Sequence, residues 1–507
     1  MSSRTALFTL ALALAFVGCH RDPREANTVN FLIESSPASL DPRVGTDESS
    51  EHIDELIFDS LLHKRGDFGL EPWLAMSWQT PDPRTFIFHL RTGVTFHNGQ
   101  PLTARDVKYT LDSVRDGTVI TAKSGTFRTV DRVDAPDPAT VIIHLKQPDA
   151  ALLWNLSDGA IGIVPYGSDR DFQQHPIGSG PFRFVSQQID KEVVLERNPA
   201  TWQTAPHIDR VRFSVVPDAI TRALELRKGS ADVAVNALTA DMVYSLRSDP
   251  QLAIESALGT RVQYVTFKVT DPILKDPRVR RAIALAIDRQ AIIHALWRDT
   301  AQPADSLLPR GHWAESDAGN ANSFDPAQSR ALLDSAGYRP GKNGVRFHVT
   351  LKSSTDESTR LLAAILQQQL KQVGIALDIR SFEFATFYAD VTHGAFQIYA
   401  LRWIGGNEDP DIFRYAFASS SFPPKGANRG HYVNTTLDNL VQQAGETYDQ
   451  SARRADYIQI QRILAEDLPS LPLWYIDTVV VHRRRLTGVE ASRSGTFDFL
   501  RTAVLHP

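Results

Sequence analysis

Along this chain, short runs in which apolar and polar positions alternate give way repeatedly to apolar positions at helical spacing. Val29 to Glu34 reads as a strand, and Ile53, Leu56, Ile57, Leu61 and Leu62 then recur at intervals that predict an amphipathic helix. Phe86, Phe88 and Leu90 alternate as a strand, Asn98-Gly99 supplies a turn, and Thr103 with Asp106 forms a capping box for a helix carrying Val107, Leu111 and Val114. Asp276-Pro277 combines an N-cap with proline at the first helical position, and Val279, Ile283, Ala286, Ile287, Ile293 and Leu296 form the buried stripe of the helix it starts. Asp325-Pro326 repeats the device, and Gly337 is expected to end that helix. The next helix, from about Thr359, is expected to end at Gly374, both glycines acting as left-handed caps. A strand over 375–380 follows, and a last long helix runs from Ser451 to Asp467 before Pro469. Such alternation of strands and helices builds α/β lobes. Heptads and short-period repeats are missing, which excludes coiled coils and solenoids.

One stretch, Phe396 to Phe413, stands out as a candidate site. Its first half alternates as a largely buried strand, and it breaks off after Arg402 and Trp403. Gly405-Gly406 then lets the backbone turn or approach a ligand closely, and Glu408, Asp409 and Asp411 surround Pro410. Ligands collect beyond strand ends of this kind. An arginine, a tryptophan and several acids within ten residues offer a charge partner, a flat apolar wall and hydrogen-bond acceptors. The competing reading is a core strand followed by a solvated acidic turn.

Length and composition set the scale. At 507 residues, with 42% hydrophobic and 22% charged residues, the chain suits about three domains or lobes. The net charge of −5, with both signs interspersed, offers no basic patch for nucleic acid. At the N-terminus, Arg4 precedes the uncharged apolar run Ala6 to Val17 and then Gly18-Cys19, which reads as a secretory signal too short to span a membrane. Cys19 is the only cysteine, so it serves no intramolecular disulfide. Its setting resembles a bacterial lipobox, with Phe16 where leucine is usual. Residues 1–19 are then a lipoprotein signal, Cys19 is the acylated first residue of the mature chain, and 20–28 form a polar tether. The alternative is cleavage after Ala13-Leu14-Ala15, which leaves a free thiol.

The motifs of common catalytic machines are missing: there is no Gly-x-Ser-x-Gly, no His-Glu-x-x-His and no phosphate-binding Gly-x-x-x-x-Gly-Lys-Ser/Thr. Gly178-Ser179-Gly180 is followed by the strand residues Phe182 to Val185 rather than by a helix N-terminus, and so reads as a structural turn. His89 and His97 lack partners at metal-ligand spacing. Asp409 and Asp411 beside a proline turn are more ordinary as capping acids than as a catalytic pair. No enzyme, cofactor or metal site is expected.

The order of blocks identifies a resemblance. Leu90-Arg91 through Gly93-Val94, Phe96-His97-Asn98-Gly99, Pro101-Leu102-Thr103-Ala104 and Asp106-Val107 are followed by His175 to Phe182, by Leu195 to Pro199 with Trp202, by Val279 to Arg289, and by Asn434 with Leu437-Asp438. Together these resemble the extracellular solute-binding protein family 5, the peptide- and nickel-type binding proteins of bacterial ABC importers, from about Val29 to about Val481. The resemblance implies an α/β, two-lobed periplasmic-binding-protein fold of type II, cluster C-like, with a hinge and an extra subdomain inserted in lobe I. Lobe I would occupy 29–265 with the insertion at about 66–175, lobe II 266–480, and 481–507 would return to lobe I. It also implies a periplasmic, membrane-anchored lipoprotein that delivers a small solute, a peptide first of all, to ABC permease and ATPase subunits. A metal chelate, an oligosaccharide or another anionic metabolite is the alternative cargo, and a secreted hydrolase or surface adhesin the alternative class. Arg402, Trp403, Gly405, Gly406 and Asp409 match the stretch that lines the family's cleft. Two departures bear on the cargo. Gly406 stands where amine-clamping relatives carry an aspartate, and Ser353-Ser354 where dipeptide binders place an arginine. Both argue against ordinary free dipeptides, and leave Arg402 for an anionic group with Asp409 as the nearest substitute acid.

Overall fold

The computed structural model describes residues 27–157, 159–169, 171–316, 322–403 and 408–507. Its frame is a mixed sheet, eleven-stranded among the described residues, organised around two long antiparallel strands, Leu252–Phe267 and Ser470–Arg483. The first half of the former and the second half of the latter lie beside Val233–Val235 and, beyond it, Thr28–Ile33, Arg210–Val215, Glu192–Arg197 and Phe182–Gln188. Their other halves border Ile398–Trp403, then Phe347–Ser354 and Ile375–Phe382. The two strands therefore cross between two halves of the molecule, which are the two lobes. Their register breaks between Ala257 and Arg261. Gly259 sits in this break so close to the facing strand that a Cβ would lie 1.9 Å from the Ile476 carbonyl oxygen.

Each lobe has its own core. In lobe I, Phe31 packs against Phe213, Phe497 and Phe499, with ring centroids 5.0, 4.4 and 6.4 Å away. The end of the chain thus completes the core that its first strand begins. In lobe II, one face of the sheet buries Val265, Phe267, Ile283, Leu351, Leu366 and Trp474, and the other buries Val262, Phe413, Leu437, Tyr457 and Ile460. Ala75–Asp82, Thr85–Leu90, Thr140–Leu145 and Val130–Asp137 form a separate antiparallel sheet, covered by the helix Ala104–Arg115 over a third core with Phe86, Phe88, Val107 and Leu111.

The capping signals translate directly. Thr103 and Asp106 form the reciprocal capping box, and Asp276 and Asp325 cap helices that open on Pro277 and Pro326. Gly337 and Gly374 adopt φ values of +89° and +84° after their helices. Two expectations need correction. The stripe from Val279 to Leu296 belongs to two helices, Pro277–Leu285 and Arg289–Trp297, because Asp288 caps a new start by accepting from the Ala291 N–H. Leu61 and Leu62 leave the helix Glu48–Ile57, and Leu62 opens the strand Leu62–Lys64.

The family-like blocks do structural work. Asp59, 1% exposed, accepts hydrogen bonds from Trp73 Nε1, Ser179 Oγ, Trp202 Nε1 and Gln203 Nε2 at 2.7–3.0 Å. Buried charge needs such donors. Gly178 has no room for a side chain, since a Cβ would lie 1.9 Å from the Ile57 carbonyl oxygen, and His97 closes the same turn on Gly178 N–H and the Gly180 carbonyl.

Candidate functional site

The strand Ile398–Trp403 ends, together with the parallel strands Phe347–Ser354 and Ile375–Phe382, on the side of lobe II where the crossing strands pass to lobe I. Gly405 and Gly406 lie outside the described residues, as does Cys19. Arg402 and Trp403 follow one another in a strand, so their side chains leave opposite faces of the sheet. Arg402 stands opposite Gln263, and its guanidinium approaches the Trp297 ring at 5.8 Å. Burial and then the like charge of Arg261 lower its pKa, partly offset by Asp356, and its Nε has no hydrogen-bond partner.

Trp403 enters an aromatic group on the other face. It stacks on Tyr264 at 5.9 Å and 22°, meets Tyr415 edge-on at 6.1 Å, and has the Arg429 guanidinium 6.0 Å from its ring. Tyr415 is 46% exposed and Tyr388, which also touches Arg429, is 38% exposed, so the group reaches the surface. Large flat rings with polar tips suit a surface that binds amphipathic solutes.

Asp409 is engaged within its own lobe. Its Oδ1 accepts from the Asp411 N–H at 2.8 Å, its backbone carbonyl accepts from Ile412, and its Oδ2 lies 3.9 Å from Arg453 Nη2. Burial pushes its pKa up to about 6 against the pull of Arg453. Arg453 in turn stacks on Trp313 and Tyr457. Asp409 therefore forms the turn that leads into the helix Ile412–Phe417, whose N-cap is Asp411, and tethers it to the helix Gln450–Asp467. Its neighbour Glu408 reaches across the lobes: its carboxylate lies 3.6 Å from Lys64 Nζ, and its backbone carbonyl meets His312 Nε2 at 2.9 Å. Burial holds His312 down to about 4, so that ring stays neutral near pH 7. The four-stranded unit also touches lobe II, where Tyr448 donates to the Pro83 carbonyl at 2.9 Å and the Ala150 N–H donates to that of Gly445.

Ser353 and Ser354 end their strand as buried hydroxyls, Ser353 paired to Ser381 at 3.0 Å. No cation stands at those two positions. The sequence reading passed over Arg429, Tyr264 and Tyr388. Arg429 belongs to the irregular run Lys425 to Gly430, where no periodicity marks a face, and its tyrosine neighbours come from distant parts of the chain. Among the described residues, no group of three or more His, Cys, Asp or Glu side chains is arranged to hold a metal ion. Nor, among them, is any helix long and apolar enough to cross a membrane.

Comparison with known proteins follows this geometry. The chain is 28% identical to "Di/tripeptide-binding protein 1" of Pseudomonas aeruginosa, covering 99% of this chain and 98% of that one. Among solved structures it superposes on the substrate-binding protein CtaP of Listeria monocytogenes with a TM-score of 0.85 at 25% identity, covering 95% and 99% of the two chains. It also matches DppA from Helicobacter pylori, solved in complex with the peptide STSA, with a TM-score of 0.77 at 25% identity over 95% and 98%. The two lobes and the strands that cross between them are those of a type II periplasmic-binding-protein fold. Residues 69–423 match the description "Bacterial extracellular solute-binding proteins, family 5 Middle", and the chain belongs to that family.

Proposed function

We propose that this protein is the solute-binding component of an ABC importer, which captures a peptide or peptide-like solute in the periplasm and hands it to a membrane permease. The observation that carries the reading is the match, over 99% of this chain, to a relative named for di- and tripeptides. The aromatic group around Trp403 supports it, since it lies at the end of a sheet strand where an extended backbone can meet strand edges. Binding is its whole task, and the energy for transport comes from the partner ATPase. Closure of the lobes about the break at Gly259 would then follow ligand preference for the closed form. Trp403, Arg402, Gly405 and Gly406 are the proposed lining, with Asp409 beside them. Cys19 is the proposed acylation site that keeps the protein on the membrane.

The test is calorimetry of purified protein against di-, tri- and tetrapeptide mixtures, with small-angle scattering before and after saturation. Saturable binding with a decrease in radius of gyration is expected. Failure of every peptide mixture to bind, alongside a non-peptide recovered by mass spectrometry from the purified protein, would replace the peptide reading.

A further inference from the structure

Arg43, Arg222 and Arg280, which are as buried as Arg429, are satisfied in ordinary ways. Arg43 is ion-paired to Asp41 at 2.7 Å. Arg280 donates to the carbonyls of Leu274, Lys275, Asp467 and Leu468, and Arg222 to those of Val216, Pro217 and Ala237 as well as to Glu34. Arg429 is different. Only 6% of it is exposed, yet its side-chain partners are phenol oxygens, Tyr388 at 2.9 Å from Nη2 and Tyr264 at 3.4 Å from Nη1, with the Tyr399 hydroxyl beside them. Its Nε is buried without a partner, and the rings of Tyr388 and Trp403 lie 5.2 and 6.0 Å from the guanidinium carbon.

A guanidinium stays charged at any physiological pH. Burying that charge without a counter-charge is unfavourable, and phenol dipoles compensate only in part. We propose that Arg429 is the anchor for a carboxylate of the bound solute, received through Nε and one Nη, with Tyr388 as the movable outer wall. The inference rests on the peptide reading above and names the chemistry of one end of the ligand. The recess formed by Arg429 with Tyr264, Tyr399 and Trp403 has a cavity volume of about 20 Å³. That is room for about one water-sized group, such as a carboxylate oxygen, and not for a side chain. A carboxylate fits the planar fork, whose two parallel donors favour it over a single-point acceptor. Tyr388 accepts from Nη2 and keeps its own proton to donate to the arriving anion. The cation lost at Ser353-Ser354 is thereby replaced from a different segment, and on the Trp403 face of the sheet.

The test uses the full mature protein and one tripeptide library made twice, as free acids and as C-terminal amides, with a second pair in which glutamate is exchanged for glutamine. Wild-type protein is expected to bind free acids at least about ten-fold more tightly than amides, the size of a lost charge-assisted hydrogen-bond pair. A preference that follows glutamate instead would assign the carboxylate to a side chain, which also supports the anchor. Arg429→Gln should erase the preference by weakening acids alone, and Arg429→Lys should restore part of it. If Arg429→Gln does not fold, Tyr388→Phe carries the test, since its ring remains and only the hydroxyl is lost: acids should weaken several-fold and amides should not change. Equal wild-type affinity for acids and amides in both pairs overturns the anchor and leaves the peptide reading intact. A preference that survives Arg429→Gln or, should that variant not fold, Tyr388→Phe overturns it as well. Binding of neither form overturns the peptide reading and this inference together.

Discussion

Replacing Gly259 by alanine tests whether the crossing strands are tuned to their close approach. The new methyl would sit 1.9 Å from the Ile476 oxygen, 3.0 Å from its carbonyl carbon and 3.1 Å from the Thr478 nitrogen. A carbon–oxygen contact is comfortable at about 3.4 Å, so the strands must part by about 1.5 Å. Neither can yield easily. Ile476 is paired with both Arg261 and Ala301, and the adjacent Asp477 N–H is bonded to the Thr300 carbonyl. Overpacking of this kind costs about 3 kcal/mol. For a lobe-sized unit, that corresponds to a fall of about 6–12 °C in the melting midpoint. Differential scanning calorimetry reads it directly, with Gly66→Ala as the control, because a Cβ at Gly66 meets nothing within 4 Å. A Gly259→Ala midpoint within about 1 °C of that control would refute the reasoning.

Trp403→Ala should weaken ligand binding by about 1–3 kcal/mol, measured by calorimetry, if the indole packs on solute; unchanged affinity with a large loss of stability would make it a core residue only. His52 gives a pH signature: burial lowers its pKa, but Glu55 at 3.2 Å and Glu48 at 4.0 Å outweigh that and raise it to about 9. A folded pKa above the ordinary 6.5 means that its stabilisation is complete below about pH 6.5 and is lost as pH rises through about 9, a change of about 3 kcal/mol. Urea melts of wild type should show that loss and His52→Asn should flatten it; parallel curves would contradict it. Cys19→Ala should convert a membrane-retained protein into one that washes free, since two acyl chains hold where one is marginal; equal recovery of both in the wash would exclude acylation.

Local chemistry made much of the fold legible. Caps are decided within four residues, so Thr103 with Asp106, Asp276-Pro277 and Gly374 could be read without any tertiary information. The split at Asp288 was harder, because the apolar stripe runs on through Ala286 and Ile287 and hides a second N-cap. The site was legible only as a stretch. The strand that ends in Arg402-Trp403 forms as its alternation predicts, and that same alternation requires the two side chains to part to opposite faces. Asp409 looked available in the sequence and is engaged by Arg453, on a helix far along the chain. Arg429 left no local signal, since what distinguishes it is the company of Tyr264, Tyr388 and Trp403, assembled only by folding. The break at Gly259 is equally invisible locally, because it is set by the approach of the facing strand at Ile476.

The packing of Phe31 against Phe497 and Phe499 sets an order of assembly. Lobe II has nearly all of its core between residues 262 and 476 and can begin to fold as soon as that span is free. Lobe I cannot, because Phe497, Phe499, Leu500 and Ala503 arrive last and its first strand must wait for them. During synthesis the strand Thr28–Ile33 would thus stay unsealed until Phe497 and Phe499 are released. Truncation within the last dozen residues should therefore unseat the beginning of the chain, and expose lobe I to proteolysis while lobe II stays resistant.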